Sequence, residues 1–392
     1  MNELLSGAGS RDRVYQALEH PAAPWLLLAN LPRFGIRRRE AAMAATAQLT
    51  DLLAMNAATL KAVGLPPETI TGIRAWQARD ASHPALVEVA EALIGCQHHG
   101  IHIVTWGDSD YPEALRHIHD APLVLYTLGN RTLLGRNQIG IVGSRHATRP
   151  GLDHARRFAA ELSRRELVVT SGLALGVDGA AHAGALDADF PTIAVIGCGL
   201  DQIYPRQHRK LGLRVIEQGV LVSEYPPGTP ARAAHFPQRN RIISGLSRGV
   251  LVVEAGLKSG SLITARLALE QGREVFAIPG SVHSPVARGC HHLIKQGARL
   301  VETVDDVLEE LGAWWSPQAG EADPARALGG PDLSSLGQRE IAVFEALGYD
   351  PVSTDALGSA TGLAADQLMQ SLLLLELEGL ASSAPGGYLR IA

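Results

Sequence analysis

The sequence predicts an α/β protein built on a doubly wound, largely parallel sheet, with a helical domain before it and a small domain after it. Between residues 97 and 312, short apolar runs rich in β-branched residues alternate with amphipathic stretches, as in strands joined by crossover helices. Several runs are apolar throughout, as expected of parallel strands covered on both faces. Residues 20–96 and 333–392 show mainly helical patterns.

Changes in composition divide the 392-residue chain, which is long enough for two to three domains. The predicted segments are a tail (1–19), an N-terminal helical domain (20–96), the sheet domain (97–312), a linker (313–332) and a C-terminal domain (333–392). The linker is rich in Gly, Ala and Pro. The C-terminal domain shows three helical stretches followed by GLASSAPGGYLRIA, which predicts a short hairpin.

Composition excludes several classes of protein. A net charge of −5 argues against a uniformly basic surface. The three cysteines, Cys96, Cys198 and Cys290, are far apart and predict neither a disulfide framework nor a zinc knuckle. The N-terminus lacks the pattern of a signal peptide, and the most apolar helical run, LMQSLLLLELEGL, is too short to span a bilayer. We therefore expect a cytoplasmic protein without membrane contact, and the histidine spacing predicts no metal site.

The predicted strands follow one another through the sheet domain. In chain order they are IHIVTW, PLVLYTLG, QIGIVG, LVVTSG, TIAVIGCG, VLVSEY, VLVVEAG, EVFAIPG and ARLVE. Amphipathic stretches such as GLDHARRFAAELSRR and SLITARLALEQG lie between them and are predicted to be helices.

Small residues follow several of these strands. They are Gly143-Ser144-Arg145, Ser171-Gly172, Gly197-Cys198-Gly199, Ser259-Gly260-Ser261 and Pro279-Gly280. In a parallel sheet these loops share the carboxyl edge, where open α/β sheets bind ligands. Small residues let a ligand approach the backbone, and the helix N-termini at this edge favour anions such as phosphate.

The usual nucleotide-cofactor motifs are missing. The first turn, VGSRHATRPG, is not G-x-G-x-x-G, and the next strand ends in Ser171 where an acidic residue would bind ribose. The sequence also lacks the G-x-x-x-x-G-K-[ST] loop of nucleoside triphosphatases. We therefore expect no cofactor.

Cations near the carboxyl edge point to a longer phosphate ligand. Arg145 follows the first strand of the parallel series, and Arg239, Arg241 and Lys258 flank the run GVLVVEAG. Together they would form a groove for a chain of phosphates, and Phe236 would offer a surface on which a base could stack.

A structural role for the same residues is the alternative. Arg239 and Arg241 could pair with Asp178 or Glu254 and hold loops in place, and Phe236 could belong to the core. The two interpretations differ in whether these side chains face a ligand or the interior.

The sheet domain resembles the DNA-processing protein DprA (Smf) family over about residues 101–311. The motifs that carry the resemblance are IGIVGSR, VVTSGLALGVDGAAHAGAL, TIAVIGCGLDQIYP, SEYPPG, HFPQRNRIISGLSRGVLVVEAGLKSGSLITARLALEQGREVFAIPG and GCHHLIKQGA. The resemblance implies an extended Rossmann-like sheet, a helical domain of the SAM or helix-hairpin-helix type before it and a winged-helix-like domain after it. It also implies a homodimer through the core that binds single-stranded DNA, delivers the RecA recombinase to incoming DNA in natural transformation, and is no enzyme.

The resemblance also implies which residues contact DNA. They are Gly143, Ser144, Arg145, Ser171, Gly172, Phe236, Arg239, Asn240, Arg241, Ser259, Gly260, Ser261 and Thr264. Lys258 joins them as a cation of the same edge. Members often carry a lysine shortly before the Phe-Pro pair, where this chain has TPARAAHFP, so Arg232 is the candidate substitute.

The flanking domains offer weaker signals. LANLPRFGIRRREA could be a DNA-binding hairpin between helices, but its loose glycine pattern favours a protein-contact domain. The third helix of the C-terminal domain carries Asp366, Gln367 and Gln370 and no Lys or Arg, unlike helices that read DNA. For that domain we expect protein contact or autoinhibition.

Two other functions stay open. A phosphoribohydrolase-type enzyme would use a PGGxGT turn with a catalytic Glu, whereas the corresponding turn here is KSGSLITA, without that Glu. A purely structural adaptor would have no affinity for DNA at low salt.

Overall fold

The computed structural model describes residues 10–312, 333 and 336–391. The chain forms two compact units, and the boundary between them falls within the predicted linker. The linker, 313–332, and residues 1–9 of the predicted tail lie outside the described residues. The predicted domain boundaries stay predictions.

Helices make up most of residues 10–99. They are α1 (Ser10–Leu18), α2 (Ala23–Asn30), α3 (Ile36–Ala45), α4 (Ala57–Ala62), α5 (Pro67–Gln77) and α6 (Pro84–His99), with a 3₁₀ turn at Leu49–Ala54. Gly100 ends α6 with a φ of 65°, a left-handed conformation that glycine adopts without strain. Leu26 and Leu86 are fully buried in the same apolar cluster as Tyr126 of the sheet. The helical segment and the sheet therefore share a core.

Every run predicted as a strand in the sheet domain forms one. Within residues 10–312, a nine-stranded sheet contains β1 (His102–Thr105), β2 (Val124–Gly129), β3 (Gln138–Val142), β4 (Val168–Ser171), β5 (Thr192–Ile196), β6 (Val220–Ser223), β7 (Gly249–Val252), β8 (Glu274–Ala277) and β9 (Arg299–Leu300).

The order of the strands is β1-β2-β6-β5-β4-β3-β7-β8-β9. From β6 to β9 all neighbours are parallel, whereas β1 and β2 form an antiparallel edge. The predicted doubly wound sheet is confirmed. Because β4 lies on one side of β3 and β7 on the other, the chain order reverses at β3, which is where open α/β sheets form their ligand crevice.

Helices cover both faces of this sheet. They are α7 (Glu113–Arg116), α8 (Arg149–Arg164), α9 (Val177–Asp187), α10 (Arg209–Gln218), α11 (His235–Leu246), α12 (Ser261–Glu270), α13 (Arg288–Lys295) and α14 (Val304–Leu311). In β7, Val250 and Val252 pack beneath α11 and α12, and Leu251 packs on the opposite face beneath α8 and α9. Each of these side chains stabilises the fold by roughly 1.5–3 kcal/mol, which explains why the run is apolar throughout.

The C-terminal unit has the predicted three helices and hairpin. They are α15 (Gln338–Ala346), α16 (Thr354–Thr361), α17 (Ala365–Leu377), β10 (Ala381–Ala384) and β11 (Gly387–Arg390). Phe344, Leu357 and Leu372 are buried in its small core. This is a winged-helix arrangement, with the hairpin as the wing. Over the described residues of both units, no helix is long and apolar enough to cross a membrane.

Candidate nucleic-acid interface

A trough of about 870 Å³ opens at the carboxyl edge of the sheet, and we call it the edge trough. Its walls are the loop after β3, the first half of α11 and the loop between β7 and α12. The predicted residues that line it are Gly143, Ser144, Arg145, Phe236, Arg239, Asn240, Lys258, Ser259, Gly260, Ser261 and Thr264.

The sheet topology brings these segments together. β3 and β7 are parallel neighbours, with Val142 opposite Val252, so the loops that follow them leave the sheet side by side. Because α11 precedes β7, it starts at the carboxyl edge and runs toward the amino edge. Its first turns therefore present Phe236 and Asn240 to the trough. This segment was not among the helices predicted from sequence.

The loop after β7 is held by its own hydroxyls and by Asn240 of α11. The hydroxyls of Ser259 and Ser261 are 2.7 Å apart, and Asn240 Nδ2 donates to the carbonyl of Gly260 at 3.4 Å. Lys258 is exposed. The loop leads into the N-terminus of α12, a position that favours anions.

Arg145 lies over an aromatic pair. Its guanidinium carbon is 5.4 Å from the ring centroid of half-buried Phe236, within the range of a cation–π contact. The ring of Tyr204 lies 5.8 Å from that of Phe236 with a tilt of 37°, and Tyr204 is 46% exposed. Tyr204 was not among the predicted site residues, although it lies in the motif TIAVIGCGLDQIYP.

Arg239 forms a charged floor beneath the trough. Its side chain is 5% exposed, and its Nη1 lies 4.0 Å from Oδ2 of Asp178, which is 9% exposed. Nε of Arg239 is buried without a hydrogen-bond partner. Burial raises the pKa of Asp178, an effect that the Arg239 charge opposes, and burial lowers the pKa of Arg239. Asp178 Oδ2 also accepts a hydrogen bond from the backbone N–H of Ala174 at 3.4 Å.

Gly172 makes room for that guanidinium. A Cβ at position 172 would overlap Nη1 of Arg239. Gly172 therefore acts from behind the trough, and the adjacent Ser171 is buried and donates its hydroxyl to the carbonyl of Ile141 at 2.6 Å. The structure gives both residues places in the framework, and DNA contact by either stays a prediction.

Arg241 and Arg232 also lie off the trough lining. Arg241 is 12% exposed and pairs with Glu224 at 2.7 Å and Asp120 at 3.3 Å. Burial would lower the pKa of Arg241, but the two carboxylates outweigh burial and raise it. Arg232 is exposed, between the lining residues Ala231 and Ala233. Their contact with DNA stays a prediction.

The structure shows which of the alternative ion pairs form. Arg239 pairs with Asp178, as one interpretation expected, whereas Arg241 pairs with neither Asp178 nor Glu254. Glu254 instead accepts a hydrogen bond from the backbone N–H of Thr148 at 2.9 Å, and its carbonyl accepts from Ser144 N at 2.7 Å. Glu254 thereby secures the loop that carries Arg145.

The arginines of the N-terminal segment hold their own loop. Arg38 donates to the carbonyl of Arg33 at 2.7 Å, and Arg39 donates to that of Phe34 at 3.1 Å. These bonds stabilise the turn between α2 and α3. Whether this segment contacts DNA or protein stays a prediction.

Sequence models of known families identify the chain. The model for DNA recombination-mediator protein A matches residues 102–312, and the model for the DprA winged helix domain matches 326–387. The chain belongs to the DprA family.

Individual members of the DprA family agree. The chain is 40% identical to protein Smf of Escherichia coli over 324 residues, which cover 82% of this chain and 86% of that protein. The crystal structure of DprA from Streptococcus pneumoniae aligns with a TM-score of 0.62 and 36% identity, covering 73% of this chain and 95% of the other. A Helicobacter pylori DprA structure, reported for its single-stranded DNA binding mode, aligns with a TM-score of 0.50 and 30% identity, covering 55% and 97%.

Proposed function

We propose that this protein binds single-stranded DNA in the edge trough and acts as a recombination mediator that loads RecA onto incoming DNA in natural transformation. The observation that carries the proposal is the placement of Arg145 over Phe236, whose ring contacts that of Tyr204, in a trough that Lys258 also lines. Cations can follow the phosphates while the aromatic rings stack with bases. The H. pylori relative, whose structure concerns single-stranded DNA binding, supports the choice of ligand.

A single strand fits this surface better than a duplex. Stacking on Tyr204 needs a base whose face is free, and the bases of a duplex are covered by their neighbours in the stack. Arg145 and Lys258 are exposed and can meet phosphates directly. Arg239 is buried and acts through its charge and by supporting the trough wall.

We propose binding without catalysis. Among the described residues that line the edge trough, Asp178 is the sole carboxylate, and it is buried against Arg239. A phosphoribohydrolase needs a glutamate beside its glycine-rich turn. Release of free base from a nucleoside monophosphate by the purified protein would establish the enzymatic alternative instead.

We also propose that the protein acts in the cytoplasm as a homodimer joined through the sheet domain. Cys96, Cys198 and Cys290 are buried free thiols, which agrees with a reducing compartment, where disulfides are rare. Sedimentation of the full chain over a range of concentrations tests the dimer. Assembly of RecA on DNA coated with a single-strand-binding protein, with and without this protein, tests loading.

The test of DNA binding is a titration of labelled oligothymidine and of a matching duplex at several salt concentrations. We expect tighter binding of the single strand and a linear fall of log K with log salt concentration. No affinity for oligothymidine at low salt would refute the proposal and favour a structural adaptor.

Replacing Arg145 by alanine should flatten the salt dependence. Removing the interaction of one cation with a single-strand phosphate makes the slope of log K against log salt concentration shallower by about 0.7. Arg136→Ala is the matched control, because Arg136 is exposed at the amino edge of the sheet, just before β3. Equal slopes for Arg145→Ala and the unmodified protein would show that Arg145 does not bind a phosphate.

A further inference from the structure

The third helix of the winged-helix unit exposes an apolar face. One side of α17 buries Leu368, Leu372 and Leu375 in the core of the unit. The other side leaves Met369, Leu373, Leu374 and Leu377 exposed, with Leu373 at 59% and Leu377 at 78%. We call these four residues the leucine face.

The spacing of these side chains makes a continuous stripe. Met369, Leu373 and Leu377 follow one another at intervals of four residues, so they lie above one another on the helix surface, and Leu374 widens the stripe. Single exposed apolar residues are common, but a contiguous exposed apolar patch on a protein marks an interaction site.

Acidic residues lie at the two ends of the leucine face. Asp366 precedes it, and Glu378 follows Leu374 by one helical turn; both are exposed. From residue 333 to 392 the sequence has two cations, Arg339 and Arg390, against the carboxylates Glu340, Glu345, Asp350, Asp355, Asp366, Glu376 and Glu378.

This charge decides among the possible occupants. DNA would bring phosphates against an excess of carboxylates, and α17 has no Lys or Arg to contact them. A second copy of the unit would bring the same acidic surface and be repelled. A partner that carries positive charges beside an apolar stripe would bury the leucine face and pair with the carboxylates at its ends.

We propose that the leucine face binds a basic amphipathic helix of another protein. The partner helix would place apolar side chains at i, i+4 and i+7 against Leu373 and Leu377, as helices do in helix-in-groove recognition. Its Lys or Arg residues would flank that stripe and meet Asp366 and Glu378. The winged helix would then be a protein-binding module, independent of DNA binding at the edge trough.

The test uses the full chain and two synthetic peptides labelled with a fluorophore. One is an 18-residue amphipathic helix of leucine and lysine, and the other has glutamate in place of each lysine. Fluorescence anisotropy should show the lysine peptide binding more tightly than the glutamate peptide. The double variant Leu373→Gln/Leu377→Gln should weaken binding of the lysine peptide by about tenfold or more, because it removes the two leucine side chains that the peptide would bury.

Two further double variants serve as a control for the loss of exposed leucines and as a test of the charge. Leu213→Gln/Leu269→Gln replaces exposed leucines of the first unit and should leave binding unchanged. Asp366→Lys/Glu378→Lys keeps the leucines and should weaken binding of the lysine peptide while improving that of the glutamate peptide. Circular dichroism and thermal unfolding verify that each variant is folded.

Several results would overturn the proposal. One is equal binding of the lysine peptide by the Leu373→Gln/Leu377→Gln variant and the unmodified protein. Another is a preference for the glutamate peptide. If the unmodified protein self-associates and the Leu373→Gln/Leu377→Gln variant does not, the leucine face binds a second copy. If the unmodified protein binds duplex DNA and that variant does not, the leucine face binds DNA.

Discussion

The Arg239→Ala variant is expected to unfold with a free energy about 3 kcal/mol lower than that of the unmodified protein at neutral pH, at the lower end of the range for breaking a buried ion pair. The substitution leaves the carboxylate of Asp178 buried without its partner cation. We expect the lower end of that range because Nη1 of Arg239 and Oδ2 of Asp178 are 4.0 Å apart. Urea unfolding monitored by circular dichroism measures the difference.

The loss of stability should depend on pH in a defined direction. Burial already raises the pKa of Asp178 in the folded protein, and Arg239 opposes that rise, so removing Arg239 raises the pKa further. A carboxyl whose pKa is higher in the folded than in the unfolded state favours folding when it is protonated and disfavours folding as pH rises. The deficit of the variant should therefore be small near pH 3.8, the ordinary pKa of an aspartate, and grow toward neutral pH.

The double variant Arg239→Ala/Asp178→Asn is the control. It removes the buried charge, so it should recover much of the stability at neutral pH and show a weaker pH dependence than Arg239→Ala alone. An Arg239→Ala deficit that is equal in acid and at neutral pH would mean that Asp178 is compensated by other groups.

Replacing Tyr204 by alanine should weaken binding of oligothymidine by about 1–3 kcal/mol, or roughly 5- to 150-fold. Tyr204 is the more exposed ring of the aromatic pair, whereas Arg145 already lies over the ring of Phe236. A base can therefore reach Tyr204 without displacing a side chain. Fluorescence anisotropy with labelled oligothymidine measures the change.

Two variants control this measurement. Tyr204→Phe keeps the ring and should retain most of the affinity. Tyr349→Ala removes an exposed tyrosine of the C-terminal unit and should have no effect. Equal affinities of Tyr204→Ala and Tyr204→Phe would exclude stacking at this position.

The local sequence pattern was sufficient to predict the strands and part of the lining of the edge trough. Runs such as GVLVVEAG must be strands buried on both faces, because Val250 and Leu251 face opposite layers of helices. Small residues after β3 and β7 were predicted to lie at one edge because the carboxyl ends of parallel strands meet at the same edge of a sheet. The helical state of α11 was not predicted, because its first turns mix polar, aromatic and proline residues and carry little of the apolar periodicity that marks a helix.

The sequence by itself determined the sheet, its carboxyl edge, the winged helix and membership of the DprA family, since these follow from apolar periodicity and contiguous motifs. Only the tertiary structure decided which arginines face the edge trough. Arg145 opens onto it, whereas Arg241 is held by Glu224 and Asp120, the latter 121 residues earlier in the chain. Coulombic attraction depends on distance in space and on burial, and neither can be read from the local sequence around an arginine.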